Sequence, residues 1–178
     1  MNTLPIPSRK STYKCFLLKK IYSFGATTSE LVHLWKMYCR SVLEQSSVFW
    51  SSSISQNNKN DLEITQKSFS RLILKNQYTN YQKALLKLNQ ESLHDRREEL
   101  SLRFTKSCLK NPKFKNLFPL NQKSYMARKH EKYLIPHCNT ERLRKSSIIQ
   151  MRHQLNKEIK RTVLHKMLGA SQLVHGEL

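Results

Sequence analysis

The sequence predicts an all-α protein, and three observations carry that expectation. Glycine is nearly absent, with 3 in 178 residues, where average usage is about 7%. Tight β-hairpins rely on glycine to reach positive φ, so a sheet with many turns fits poorly. Apolar residues recur at steps of three and four in successive stretches, which is the period of a helix rather than of a strand. Several of those stretches open with a polar residue followed three positions later by Glu, Gln or Asp. At that spacing side chains close the free amides of a first helical turn. The chain is long enough for one domain with a helical appendage. Its apolar share of 38% implies a modest core.

Residues 1–9, with Pro5 and Pro7, read as a flexible leader. Lys10 to Phe24 forms a first helix with Tyr13, Phe16, Leu17 and Ile21 along one side, and Gly25 stops it. Thr27-Thr28-Ser29-Glu30 has capping-box spacing and opens a second helix, striped by Leu31, Trp35, Tyr38 and Val42. A Ser/Asn-rich stretch from Ser51 to Asn60 reads as a loop. Asn60 with Glu63 then opens a third helix, striped by Leu62, Thr65, Phe69, Leu72 and Ile73.

Thr79 to Gln82 has box spacing again, ahead of Tyr81, Ala84, Leu85 and Leu88. Ser92 with Asp95 leads into Leu93, Arg97, Leu100 and Phe104, and Pro112 ends the set. Residues 10–111 are thus expected to form a bundle of four or five short helices. Beyond it, Phe114, Leu117, Phe118 and Leu120 form a short apolar knot, and residues 121–138 are basic and irregular. Thr140 to Leu168 reads as one long helix with a thin apolar side of Leu143, Ile148, Met151, Leu155, Ile159 and Val163. Residues 112–178 are therefore expected to be a basic, partly ordered tail whose long helix is solvated or covered by a partner.

Charge narrows the function classes. The chain carries 32 Lys and Arg against 12 Asp and Glu, a formal +20. Residues 1–100 hold 15 basic and 8 acidic side chains, whereas residues 101–178 hold 17 and 4. A field of that size favours polyanions, because each phosphate neutralised releases condensed counterions. An acidic protein surface is the alternative partner. The four cysteines (Cys15, Cys39, Cys108, Cys138) are too scattered for paired ligand spacing. They read as buried reduced thiols, as in a cytoplasmic or nuclear protein. No run of about 18 apolar residues exists to span a membrane. The acid-free first 29 residues, with Arg9, Lys10, Lys14, Lys19 and Lys20, resemble a transit peptide only weakly, since they hold a single Arg.

No catalytic constellation emerges. The phosphate-cradling and nucleophile-elbow motifs need glycines that this chain does not have. Asp61 and Asp95, its only aspartates, sit near expected helix starts, where capping is their ordinary role. Glu98-Glu99 beside Arg96-Arg97 reads as a charged helix face. His130, His137 and Cys138 offer zinc donors, but a fourth ligand is not at standard spacing, so no metal site and no cofactor are expected.

The binding signal is stronger. Lys123, Arg128, Lys129 and Lys132 interleave with Tyr125 and Tyr133. Cations fix phosphates, and the rings either stack on unpaired bases or close the core. Arg142, Arg144 and Lys145, then Lys157, Lys160 and Arg161, extend the basic surface along the last helix. Arg40, Arg71, Arg96 and Arg97 are weaker candidates that could instead pair with acids inside the bundle.

The segment Tyr38-Cys39-Arg40-Ser41-Val42-Leu43-Glu44-Gln45, followed by Trp50, resembles the region after the palm in the reverse transcriptases of jockey-like non-LTR retrotransposons. The similarity continues through Asn60-Asp61-Leu62-Glu63, Gln66-Lys67, Tyr81, Ala84-Leu85, Leu88, Leu93 and Arg96-Arg97. It runs on through Phe118-Pro119-Leu120-Asn121, Arg128 to Tyr133 and Asn139 to Arg142, so that it covers roughly residues 10 to 155. The resemblance implies the helical thumb and following segment of an RNA-directed DNA polymerase, which holds a template–primer duplex by its backbone. The family's paired palm aspartates would lie before residue 1, and without them no metal-assisted nucleotidyl transfer runs. The expectation is a non-catalytic chain that binds RNA or an RNA–DNA hybrid. The alternative is a helical protein-interaction module that docks through the C-terminal helix.

Overall fold

The computed structural model describes residues 8–122 and 131–174, with the side chains of residues 13–122 and 131–162. The chain is all-α, and among the described residues the only β feature is an isolated bridge between Leu120 and Tyr133. In order come α1 (Ser8–Ser23), α2 (Thr28–Leu34), a π-helical segment (Trp35–Arg40), α3 (Ser41–Glu44), α4 (Ser47–Trp50) and α5 (Gln56–Leu74). A 3₁₀ turn (Lys75–Gln77), α6 (Tyr81–Lys87), α7 (Leu93–Lys110), a second 3₁₀ turn (Pro112–Leu117), α8 (Glu141–Arg144) and α9 (Ser147–Val174) follow. Two compact units divide between Leu100 and Ser101, inside α7, whereas the sequence reading set the change of character at Pro112.

The first unit starts its helices where short polar motifs say it should. Thr27 Oγ1 accepts from the Glu30 amide, and the Glu30 carboxylate accepts from the Thr27 amide at 2.8 Å, a complete capping box. Gly25, at φ 94°, turns the chain out of α1. Ser92 accepts from the Asp95 amide at 3.0 Å and opens α7. Two starts move from their expected places. Ser55, whose hydroxyl accepts from the Asn58 amide, caps α5, so the helix begins four residues before Asn60. Asn80 rather than Thr79 caps α6, accepting from the Lys83 amide at 2.8 Å.

The core of this unit gathers Leu18, Leu31, Trp35, Cys39, Leu43, Leu62, Phe69, Ile73, Leu88 and Leu93. Trp35 and Phe69 stack with ring centroids 4.3 Å apart and planes 13° from parallel, joining the second helical run to α5. The expected stripe Leu31–Trp35–Tyr38–Val42 is corrected here. Tyr38 is 55% exposed, and Cys39 and Leu43 are the buried residues. The π segment widens the turn by one residue, so the inward register slips from 38 and 42 to 39 and 43.

The expected side of α1 is corrected as well. Tyr13, Phe16, Leu17 and Ile21 face outward, and Leu18, with Cys15 and Tyr22, is the face that meets the core. The helix therefore has an apolar side in each direction, which periodicity alone cannot rank.

The second unit has a thinner interior. Its buried apolar residues among those described are Cys108, Phe118, Ile149, Met151 and Leu155. The expected knot reduces to Phe118, because Phe114, Leu117 and Leu120 are exposed. The single long helix predicted from Thr140 is two helices. Thr140 caps α8, accepting from the Leu143 amide, and α9 begins afresh at Ser147. The apolar side moves accordingly: Leu143 and Ile148 are exposed, and Ile149 is buried. The side chain of Val163 lies outside the described residues.

Candidate nucleic-acid interface

In the second unit two short segments pair antiparallel, with the Asn121 amide donating to the Lys132 carbonyl and the Leu134 amide to the Pro119 carbonyl, both at 2.9 Å. Side chains of α9 fix this pair. Asn156, 3% exposed, accepts from the Tyr133 amide at 2.9 Å and donates to the Tyr133 carbonyl at 3.0 Å. One amide group thus satisfies both backbone groups of one residue, as a neighbouring strand would. One turn earlier, Arg152 donates to the carbonyls of Leu117 and Leu134, at 2.9 and 3.1 Å. Partial burial lowers the Arg152 pKa below the ordinary arginine value.

Along this junction lies an open cleft of about 410 Å³, lined by Glu131, His153, Asn156, Lys157, Lys160 and Arg161. Positions 153, 157, 160 and 161 fall on one face of α9 by their spacing of four and three. Lys160 pairs with Glu131 at 3.6 Å, while Lys157 and Arg161 are exposed and have no carboxylate partner among the described residues. The lining of the cleft is cationic at Lys157, Lys160 and Arg161, with Glu131 the single carboxylate, and it includes Asn156, which is bonded to the Tyr133 backbone. Such a cleft can hold an extended polyanion by its phosphates, with His153 and Asn156 as further polar groups.

Of the residues selected from sequence, Lys123, Tyr125, Arg128 and Lys129 lie outside the described residues. Lys132 is exposed next to Tyr133, whose half-buried backbone is held by Asn156. On α8, Arg144 and Lys145 each reach Glu141 at 3.2 Å, and Arg142 is exposed without a carboxylate partner among the described residues. The structure thus gathers Lys157, Lys160 and Arg161 in one cleft and sets Arg142 and Arg144 on the separate helix α8, with Lys145 as its C-cap. Sequence reasoning did not select His153, Asn156 or Glu131. The four-residue step from His153 to Lys157 was the available signal for the first; the other two depend on contacts distant in the chain.

The weaker candidates in the first unit are engaged locally. Arg40 lies 3.4 Å from Glu44, and Arg96 lies 3.3 Å from Glu44 and 3.1 Å from Glu99. Arg71 sits over the Tyr78 ring at 5.3 Å. Arg97 is 2% exposed and 3.8 Å from Glu63, and its guanidinium nitrogens make no hydrogen bond among the described residues. Burial lowers the Arg97 pKa, and the Glu63 carboxylate opposes that shift. Glu63 also accepts from the His94 amide at 2.7 Å and from the Tyr81 hydroxyl at 2.6 Å, which ties α5, α6 and α7 together. Burial and that hydrogen bond hold the Tyr81 phenol above its ordinary range.

Among the described residues no group of three or more His, Cys, Asp or Glu could hold a metal ion. His130 lies outside them, His137 is exposed, and the Cys138 thiol donates to the Pro136 carbonyl at 3.4 Å. No helix among the described residues is long and apolar enough to cross a membrane. No protein-family model, curated protein or solved structure matches the chain.

Proposed function

We propose that this chain binds RNA or an RNA–DNA hybrid by the sugar-phosphate backbone through its second unit, with no chemistry of its own. It would do so as a non-catalytic remnant or fragment of a mobile-element RNA-directed DNA polymerase. One observation carries the binding part. Every described acid of the second unit is already engaged: Glu131 with Lys160, Glu141 with Arg144 and Lys145, and Glu158 with Lys106. Lys132, Arg142, Lys157 and Arg161 are therefore exposed with no carboxylate left among the described residues to neutralise them. Phosphate is the abundant group that would. The engaged cations stay available too, because exposed ion pairs contribute only about 0–1 kcal/mol and a phosphate can replace the carboxylate.

A salt series tests this reading. Affinity of the full chain for a mixed-sequence RNA duplex and for an RNA–DNA hybrid should fall steeply with salt. Replacing Lys132, Lys157 and Arg161 together by Ala should reduce the log–log slope by about 2 to 3, given roughly 0.7–0.9 per phosphate contact. Binding that ignores salt, or an unchanged slope in the triple variant, would remove the proposal.

The second reading is a helical protein-interaction module. The side expected to dock, on the C-terminal helix, is exposed at Leu143 and Ile148, and the outward face of α1 is a further exposed apolar surface. Tyr13, Phe16, Leu17 and Ile21 are exposed there, and Phe24, just beyond the end of α1, is 87% exposed. A charge substitution such as Phe16→Asp should leave the salt slope of nucleic-acid binding unchanged and abolish any interaction made through that face.

A further inference from the structure

Two of the four cysteines meet inside the first unit. Cys15 lies on α1 and is half-buried, whereas Cys39 lies in the π segment and is 0% exposed. Cys15 packs on the core cluster that contains Cys39, and the two thiols perturb each other's ionisation. The residues just before them are joined as well, because Lys14 Nζ donates to the Tyr38 carbonyl at 2.9 Å. The π segment matters here. Its extra residue turns position 39 inward, to where α1 passes, in place of position 38. Cys108 and Cys138 belong to the second unit and take no part in this contact.

We propose that Cys15 and Cys39 are an oxidisable thiol pair, closed to a disulfide by a low-molecular-weight disulfide of the glutathione class, and that closure fastens α1 to the bundle. Cys15 is the sulfur such an oxidant reaches. Its thiol loses a proton to solvent, its sulfur attacks one sulfur of the oxidant, and a glutathione thiolate leaves, giving a mixed disulfide on Cys15. The Cys39 thiolate then attacks the Cys15 sulfur and expels the second glutathione thiolate. Two protein thiols lose two electrons and two protons, and one glutathione disulfide becomes two glutathione thiols.

In the reduced pair the two thiols are held apart in acidity. The interaction with Cys15 holds Cys39 below the ordinary thiol range, against burial and with help from the Lys14 ammonium. The interaction with Cys39, with burial, pushes Cys15 above it. Once Cys15 carries glutathione it has no proton to donate, and the Lys14 ammonium is the group that still favours the Cys39 thiolate for closure.

The experiment uses the full chain, folded, in a glutathione redox buffer, quenched by alkylation and digested with trypsin. The expected product joins the peptide Cys15–Lys19 to the peptide Met37–Arg40. Cys15→Ser should abolish the link while leaving Cys39 unalkylated until the chain is unfolded. Glutathione retained on Cys15, or a link from either residue to Cys108 or Cys138, would overturn the pairing. The oxidised chain should also melt roughly 10 °C higher than the reduced one, an increase reversed by a dithiol. An unchanged or lower midpoint would overturn the fastening of α1.

Discussion

In the first unit three arginines are matched to acids inside the fold: Arg40 and Arg96 converge on Glu44, and Arg97 is buried beside Glu63. In the second unit three described acids face a larger set of cations, and each acid is already engaged. The same residue type therefore has two jobs, decided by the local supply of carboxylates. Where guanidinium and carboxylate are both largely buried, the pair helps to hold helices together and is lost to any ligand. Where carboxylates run out, the guanidinium remains a surface charge that an external anion can neutralise. The units differ in their interiors in the same sense, with an aromatic stack and a dense leucine cluster in the first and a short set of buried side chains in the second.

The largest loss is expected at the aromatic stack. Trp35→Ala removes a fully buried ring from its place against Phe69 and should cost about 4 kcal/mol in urea unfolding. A loss under about 1 kcal/mol would mean that the core of the first unit is not where its stability lies. Glu63→Ala comes next. It leaves the Arg97 charge buried without its carboxylate and frees the His94 amide and the Tyr81 hydroxyl. A loss of about 3 kcal/mol is expected. Glu63→Ala combined with Arg97→Met should recover part of it, because the uncompensated charge is gone.

Those residues show what local reading reaches. Thr27 with Glu30, Gly25, Ser92 with Asp95 and Pro112 act over a few positions, and each marks a helix end in the fold as in the sequence. The stripe through Tyr38 and Val42 was misplaced because a π turn changes the helical period, and nothing in Trp35 to Arg40 announces one. The outward turn of α1 was missed because both of its sides are apolar. At the candidate site, Lys157, Lys160 and Arg161 were legible as charges. Which cations are already neutralised was not, since the partners are distant: Lys106 and Glu158 lie 52 residues apart. The roles of Asn156 and Arg152, which bind backbone across the second unit, leave no mark in a charge pattern.

Asn156→Ala should cost about 2 kcal/mol, since both backbone groups of Tyr133 lose their partner. It should also weaken RNA binding without changing the salt slope, because it removes no charge while loosening the segment that carries Lys132. A changed slope would mean that Asn156 alters how many phosphates are held. Lys157→Ala with Arg161→Ala is the converse. Both side chains are exposed and unmatched, so stability should move by less than about 0.5 kcal/mol. Affinity for RNA at low salt should fall several-fold. If instead this pair destabilised the fold as much as Glu63→Ala, the division of cations into structural and available would fail.

The smallest expected effect concerns an acid rather than a cation. Glu30 accepts hydrogen bonds from the Thr27 amide and hydroxyl, both at 2.8 Å. First the amide and then the hydroxyl lower its carboxyl pKa below the ordinary value of 4.5. A carboxylate favoured in the folded state adds stability above that value, and the gain is lost as pH falls through the lower, folded one. Glutamine at the same position can still close the box but does not titrate. The melting midpoint of the natural chain should therefore fall more than that of Glu30→Gln between about pH 5 and about pH 3. Parallel curves would mean that the capping carboxylate is no more stable folded than unfolded. The first unit would then depend on its acids only where they meet buried arginine.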